Sequence, residues 1–330
     1  MHKFKVLHEQ QLYLLSDILL RFGVQDRTKL RKLDFKAYLK VPRDAETVTR
    51  SVIRKLNNGY RERSHEYISG DSFKAKCDLE LNSENWYASL MRAIKEPHNS
   101  FRFFASGLPK SNTVFDILEF LKKNNNLIFP NVTLVLHNGD QFPSTNEMEL
   151  VSTRFKEIFS VNWLGTSKNI HPIPIGLENE GYLLNGVLSD YLSMKQSLIP
   201  LEKRPIKLLV CFSLHTNPTE RNKAMRSAVD MGDTYVVKSP ITPRKYRTLV
   251  SQSVFVLSPP GNGIDCHRTW EALFLGAIPV VKRSFWSFSK YEIGAKVVDD
   301  WDEINALEIP VDIKSLFHSK YSKVDSWLQL

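Results

Sequence analysis

The sequence predicts an α/β protein with two Rossmann-like lobes that face a cleft, preceded by a mostly helical, basic N-terminal region. Three observations support this fold class. Short apolar runs alternate with amphipathic stretches over most of the chain, a succession that is typical of parallel sheets with crossover helices. The succession stops at a segment with two prolines and mixed charge, residues 196–206, which we interpret as a linker, and then restarts. The 330 residues are enough for two domains, each with its own core.

The N-terminal region, residues 1–65, is predicted to be helical because leucine and isoleucine recur at roughly helical spacing in residues 6–20. The excess of basic over acidic residues is 45 − 36 = 9 for the chain, and 15 − 7 = 8 of that excess lies in residues 1–65. Such a segment is attracted to an anionic membrane surface, although a solvated helical face has the same composition. Its aromatic residues do not alternate with the basic ones, so we expect no nucleic-acid partner.

The first lobe is predicted over residues 66–200. Asn112 is a candidate N-cap for an amphipathic helix, and Asn138-Gly139-Asp140 forms a turn signal after a β-branched run. The predicted elements are a helix at 112–123, a strand at 132–137, a helix at 147–158, a strand at 158–163 and an extended run at 171–177.

The second lobe is predicted over residues 205–310, where strands and helices alternate regularly, as in a doubly wound domain. A tail or helix is predicted for residues 311–330. The predicted strands are 207–213, 234–239, 254–259, 277–282 and 296–300, and the predicted helices are 219–229, 243–253 and 265–276.

The stretch SPPGNGIDCHRTWEALFLGAIPVV, residues 258–281, contains the main candidate site in a loop between a strand and a helix. Gly261 and Gly263 allow the backbone to approach a ligand and to adopt positive φ, while the following helix directs free N–H groups at the loop. Arg268 adds a forked cation and His267 a further donor, so the loop predicts a pocket for a diphosphate. A tight turn with Asp265 as the helix N-cap is the alternative interpretation. The spacing matches neither the P-loop nor the dinucleotide fingerprint.

This stretch resembles the nucleotide-sugar segment of exostosin-like glycosyltransferases, family 47 type, which has the pattern Ser-Pro-x-Gly-Asn-Gly-x-Asp-x-His-Arg-x-Trp-Glu-Ala-Leu. HPIPIGLEN at 171–179 and HTNPTER at 215–221 are similar to the same family, and the resemblance covers roughly residues 130–310.

The resemblance implies a two-lobed GT-B enzyme that transfers a sugar from a nucleotide donor, a UDP-sugar first among them, with inversion and without an essential metal or other cofactor. It implies that Arg221 and Arg268 bind the diphosphate and that Glu271 accepts from the ribose hydroxyls. The alternative for Glu271 is an exposed helix charge, and Trp270, Leu273 and Phe274 are expected in the core. The donor-binding residues predicted in this way are Arg221, Ser258, Gly261, Asn262, Gly263, His267, Arg268 and Glu271.

An inverting transferase needs a base for the acceptor hydroxyl, and we expect it in the first lobe. Asp140 is the first candidate, with ordinary turn chemistry as its alternative. Glu178 and Glu180 follow as second candidates. Asp300 and Asp302 could bind a divalent ion in a metal-dependent transferase, but their position favours capping of a helix.

We expect a cytoplasmic protein, peripheral on the inner membrane face, because the start of the sequence is no signal peptide and no apolar run reaches membrane-spanning length. Three distant cysteines predict neither disulfides nor a zinc site. The predicted function is transfer of a sugar to a glycan or lipid-linked glycan. The alternative is a non-catalytic module that binds glycans or anionic surfaces.

Overall fold

The α/β class is confirmed in a computed structural model of the chain, which contains two parallel sheets of five strands each with helices packed on them. The basic region 1–65, Asn112 and Glu180 lie outside the described residues. The structure describes residues 66–107, 113–140, 144–179, 186, 188–289, 291, 293–309 and 319–328.

The first sheet runs in the order β1-β2-β3-β4-β5 and every neighbouring pair is parallel. Its strands are β1 (Leu79–Leu81), β2 (Phe101–Ser106), β3 (Phe129–His137), β4 (Phe155–Ser160) and β5 (Ile170–Pro172). Its helices are α1 (Gly70–Ala75), α2 (Trp86–Lys95), α3 (Thr113–Lys123) and α4 (Thr145–Ser152). Side chains of α2, α3 and α4 share one core with Phe103, Leu134 and Ile158, so these three helices cover the same face of the sheet.

The opposite face of the first sheet packs toward the second half of the chain. Phe104, Val135 and Phe159, which alternate with the residues of the other face, belong to one apolar cluster with Leu209 and Trp270. This alternation follows from the period of two along a strand. The two sheets therefore share a hydrophobic core.

The second sheet has the strand order β10-β9-β8-β6-β7, again all parallel. Its strands are β6 (Ile206–Val210), β7 (Thr234–Val236), β8 (Ser253–Leu257), β9 (Ile278–Lys282) and β10 (Lys296–Val298). Its helices are α6 (Pro218–Asp230), α7 (Pro243–Ser251) and α8 (His267–Phe274), and α5 (Leu188–Lys195) precedes the sheet. The order in which strands are added to the sheet reverses between β6 and β8, with α6 on one face and α7 and α8 on the other. Ligands bind at such switch points in open parallel sheets.

The last described segment consists of two 3-10 turns, Ser319–Ser322 and Val324–Trp327, and it returns to the beginning of the described chain. Ile68 N–H donates to Ser322 O, and Val324 N–H donates to Glu66 O. Trp327 is fully buried against Trp270, Phe288 and Tyr291.

Several predicted boundaries were wrong. The helix predicted at 147–158 ends at Ser152, and β4 begins already at Phe155, because Phe155 and Ile158 bury their side chains in the sheet core. The run at 171–177 is paired in the sheet only through Pro172. Elements α1, β1, α2 and β2 were not predicted. In the linker, Arg204 donates to the carbonyls of Ile199, Ser253 and Leu275, which fixes the chain against the second sheet. None of the helices in the described ranges is long and apolar enough to cross a bilayer.

Candidate functional site

A pocket of about 970 Å³ lies at the carboxyl ends of the strands of the second sheet. Residues 211–216 after β6, residues 237–241 after β7 and residues 261–263 and 265–268 after β8 line it. Asp140 after β3, and Ile175 and Glu178 after β5, line it from the first half of the chain. The pocket therefore lies at the reversal between β6 and β8, the point where the strand order favours ligand binding.

Two guanidinium groups lie in this pocket on the ring of Phe212. The Cζ atoms of Arg221 and Arg268 are 5.6 and 5.3 Å from the ring centroid. Arg221 is only 5% exposed and donates to the carbonyls of Pro260 and Ser213, and Arg268 Nε donates to Cys211 O. Within the described ranges, neither guanidinium has a carboxylate within salt-bridge distance, and Arg268 Nη1 is buried without any hydrogen-bond partner. Burial, and then the charge of Arg268, lower the pKa of Arg221.

The two glycines of the loop are needed for space and not for an unusual backbone conformation. A Cβ on Gly261 would lie 2.8 Å from Arg221 Nη2, and a Cβ on Gly263 would lie 2.8 Å from Asn162 Nδ2. The prediction of positive φ was wrong, since positive φ among the described glycines occurs at Gly176, Gly232 and Gly276. The pair instead lets the loop pack directly against Arg221 and Asn162.

Asp265 holds the loop in place from beneath. Its carboxylate accepts from Ile175 N–H (2.8 Å), Cys266 N–H (2.8 Å) and the indole N–H of Trp270 (2.9 Å). Burial raises the pKa of this carboxyl to about 6 and outweighs these hydrogen bonds, which lower it. The interpretation of Asp265 as N-cap was wrong: α8 begins at His267, and Cys266 occupies the cap position without a side-chain hydrogen bond.

The loop is also bonded to the end of the first sheet. Asn162, which adopts positive φ (58°), accepts from Asp265 N–H at 2.9 Å and donates to Gly139 O at 3.3 Å. Asparagine tolerates this conformation better than most residues. Asn262 Nδ2 donates to the Asp140 carboxylate at 3.2 Å. The residues that follow β8 are thus positioned by side chains from both sheets.

Two histidines near the pocket differ in burial. His267 Nδ1 donates to Gly176 O at 2.8 Å, so its protonated nitrogen is oriented toward the first half of the chain. His137 is 1% exposed; its Nδ1 accepts from Asn138 N–H, and its Nε2 donates to Pro174 O. Burial lowers the pKa of His137 to about 4. His137 is therefore neutral at physiological pH and fixes the turn that leads to Asp140.

Glu271 lies on the floor of the pocket, one helical turn after Arg268. It is 4% exposed, so the alternative of an exposed helix charge was wrong. Tyr246 of α7 lines the same floor, and its hydroxyl is buried. Trp270, Leu273 and Phe274 are fully buried in the core, as predicted.

The structure brings most of the predicted site residues together. Asp140, which is exposed, and Glu178 both line the pocket. Ser258 does not: it is 4% exposed, and its hydroxyl pairs with that of Thr269 at 2.8 Å beneath the loop. The predicted residues that line the pocket are Asp140, Glu178, Arg221, Gly261, Asn262, Gly263, His267, Arg268 and Glu271.

Asp300 serves the capping role that its position favours, whereas Asp302 does not cap the helix. Asp300 caps the 3-10 helix Trp301–Ala306 with a complete capping box, and Asp302 accepts from the hydroxyl of Ser227. In the ranges given above, no group of three or more His, Cys, Asp or Glu residues is arranged to hold a metal ion.

Several residues in or next to the pocket were not predicted. Phe212 supports both guanidiniums, Asn162 bridges the two halves, and Tyr246 reaches the floor from a neighbouring helix. Phe212 could have been found from its position directly after β6. Asn162 and Tyr246 carry no such signal, because only the tertiary fold brings them to the pocket.

No protein-family model matches the chain, and no curated protein matches it significantly. The resemblance to exostosin-like glycosyltransferases therefore depends on residues 258–281 and the two shorter segments, and it stays a hypothesis.

Proposed function

We propose that the protein is a glycosyltransferase of the GT-B type, in which the pocket is the cleft that takes a nucleoside-diphosphate sugar. The observation that carries this proposal is the pair Arg221 and Arg268 at the reversal between β6 and β8. The two cations lie together on Phe212 without an acidic partner in the described part of the chain. Two unneutralised guanidiniums repel each other, so an anionic ligand between them lowers the energy of the site.

A diphosphate is the anion that suits these groups best. The N-terminus of α8 directs backbone N–H groups and a partial positive charge toward the same space. Gly261 lets the loop pack directly against Arg221, because a Cβ at this position would lie 2.8 Å from Arg221 Nη2. Glu271 lies one turn further along α8, where a carboxylate would repel phosphate but accept from the neutral hydroxyls of a ribose.

The same cations would favour the chemical step. When the bond between sugar and phosphate breaks, negative charge grows on the diphosphate, and fixed donors stabilise it in the transition state. One contact of this kind contributes about 3–4 kcal/mol. Loss of Arg268 should therefore lower the rate by about two to three orders of magnitude. This leaving-group role needs no metal, so we expect transfer to continue in the presence of EDTA.

Asp140 and Glu178 are the candidate bases for the acceptor hydroxyl, because both line the pocket from the first half of the chain. A base acts in the chemical step and not in donor binding. We therefore expect that Asp140→Asn or Glu178→Gln abolishes transfer while donor affinity stays within about threefold of wild type. If a variant loses donor affinity and transfer to the same extent, the replaced residue is not the base.

The first experiment measures binding of UDP, GDP, CDP and ADP by isothermal titration calorimetry. Arg268→Ala should weaken the best ligand roughly 10- to 150-fold, the value for a charge-assisted hydrogen bond. Arg226→Ala is the matched control, since Arg226 is exposed on α6 and does not line the pocket. Transfer and hydrolysis are then tested with the sugar conjugates of the best base. Failure of every nucleotide to bind at millimolar concentration would end the proposal.

The acceptor is proposed to be a glycan or a lipid-linked glycan at the cytoplasmic membrane face, to which the basic residues 1–65 would bind. Sedimentation with anionic vesicles tests this part, and deletion of residues 1–60 should abolish it. If the protein binds anionic vesicles but binds no nucleotide, a non-catalytic surface-binding module is the better description.

A further inference from the structure

The sequence contains a hydroxyl residue followed by proline at Ser239, Thr242 and Ser258. Proline-directed protein kinases recognise this dipeptide and bind the residues around it in an extended conformation. The proline favours that conformation, because it keeps the preceding residue out of the helical region. An exposed segment without regular structure can enter the kinase directly, whereas a buried or helical one must first open. The three positions differ in both exposure and local structure.

Ser239 meets these requirements. It lies within residues 237–242, which connect β7 to α7 and form neither helix nor strand. Lys238, Ser239 and Pro240 are all exposed. A kinase can therefore bind this connection while the sheet and the helix on either side of it stay folded.

The other two positions are protected by the fold. Thr242 is the N-cap of α7, where its side chain accepts from Lys245 N–H at 3.2 Å, and Pro243 is buried in the first turn. Ser258 is only 4% exposed, and its hydroxyl pairs with that of Thr269. Phosphorylation at either position requires local unfolding, so both should react slowly.

Ser239 also lines the pocket that contains Arg221 and Arg268. Phosphorylation of its hydroxyl adds a charge of about −1.5 to −2 at neutral pH. Within the described residues the two guanidiniums have no carboxylate at salt-bridge distance. A phosphate on Ser239 therefore carries the type of charge that these cations attract. It opposes a bound diphosphate in two ways, because it partly neutralises the arginines and repels the second anion.

We propose that Ser239 is a phosphorylation site for a proline-directed protein kinase, and that its phosphate lowers the affinity of the pocket for nucleoside diphosphates. In the modification, a bond forms between Ser239 Oγ and the γ-phosphorus of ATP. The bond from that phosphorus to the bridging oxygen breaks, ADP leaves, and the hydroxyl proton passes to the base of the kinase. The effect on affinity rests on the proposed function, whereas the modification itself does not.

The first experiment locates the modification. The full chain is incubated with a cyclin-dependent kinase, Mg²⁺ and labelled ATP, and the phosphate is assigned to a residue by mass spectrometry. Thr242→Ala is the matched control for Ser239→Ala, since both remove one hydroxyl before a proline. Ser239→Ala should lower incorporation about 10-fold or more, because the remaining sites react only after local opening. Thr242→Ala should keep the wild-type value.

The second experiment measures the effect on the pocket. After removal of the kinase and ATP, binding of UDP, GDP, CDP and ADP is measured by isothermal titration calorimetry, before and after treatment with a phosphatase. Phosphorylation should weaken the best ligand about 10-fold or more, the effect of two charges on two others about 10 Å apart in water. Ser239→Asp, with one added charge, should bind about threefold more weakly than the uncharged Ser239→Asn. Both differences should shrink at high salt.

Each part of the inference has a result that would overturn it. Incorporation at Thr242 or Ser258 in place of Ser239, or none at all, would overturn the modification site. Equal affinities before and after phosphorylation, or equal affinities of Ser239→Asp and Ser239→Asn, would overturn the effect on the pocket and leave the proposed function standing. If no nucleotide binds the unmodified protein, the proposed function and the effect on affinity both fail, and incorporation alone still decides the modification site.

Discussion

Replacement of Asp265 by asparagine should change how the stability of the protein depends on pH. The carboxylate lies beneath the loop and accepts from Ile175, Cys266 and Trp270. Burial raises its pKa from 3.8 to about 6. In this interval the folded protein retains a proton that the unfolded chain has released. The contribution of Asp265 to the free energy of unfolding must therefore fall as pH rises from about 4 to about 6.

The magnitude follows from the two pKa values. One pH unit corresponds to about 1.4 kcal/mol, so the interval from 3.8 to about 6 amounts to roughly 3 kcal/mol. An asparagine at this position cannot titrate, so this contribution is missing in Asp265→Asn, whatever that substitution costs in hydrogen bonding. The difference in unfolding free energy between wild type and variant should shrink by up to about 3 kcal/mol between pH 4 and pH 6.5.

Urea denaturation followed by tryptophan fluorescence at closely spaced pH values measures this difference. His137→Gln supplies a control of opposite sign. Because burial lowers the pKa of His137 from 6.5 to about 4, its contribution to stability is lost as pH falls through that range. The reasoning would be refuted if the unfolding free energies of wild type and Asp265→Asn changed in parallel with pH, or if the difference between them grew as pH rises.

Three further outcomes follow from the geometry. Gly261→Ala should weaken binding of the best nucleoside diphosphate about 10-fold, because the new Cβ would lie 2.8 Å from Arg221 Nη2 and displace the guanidinium. Calorimetry measures this affinity, and a value within about twofold of wild type would contradict the prediction. Ser258→Ala should leave that affinity unchanged and cost about 1 kcal/mol of stability, since its hydroxyl pairs with Thr269. Trp327→Ala should destabilise the fold by about 3–5 kcal/mol in urea unfolding, because Trp327 is fully buried. A loss below about 1 kcal/mol would contradict this, because it would mean that neighbouring side chains fill the cavity.

The loop after β8 could be predicted because its signals are local. A β-branched strand, two glycines and an adjacent His-Arg pair stand within a few residues of one another, and the structure places them around one pocket. The second sheet was predicted for the same reason, since its strands and helices are separated by clear turn residues. Local patterns of this kind predict structure well because they depend only on residues that are neighbours in sequence.

The rest of the fold and of the site depends on contacts between residues that are distant in sequence, and no local pattern indicates them. The reason why Gly263 must be glycine is Asn162, which contacts it from the other half of the chain. The boundary between α4 and β4 has no glycine or proline, so helix and strand patterns merge there, and only burial in the sheet ends the helix at Ser152. Likewise, the position of Tyr246 at the floor of the pocket becomes visible only when α7 and α8 are packed.

The return of the last described segment to Glu66–Ile68 has a consequence for synthesis of the protein on the ribosome. The backbone groups of Glu66 and Ile68 obtain their partners, Val324 and Ser322, only after the ribosome has translated the chain through these two residues. Until then, Trp270, Phe288 and Tyr291 lack the indole that covers them. A stalled nascent chain would therefore present an aromatic surface of the kind that chaperones and quality-control proteases recognise.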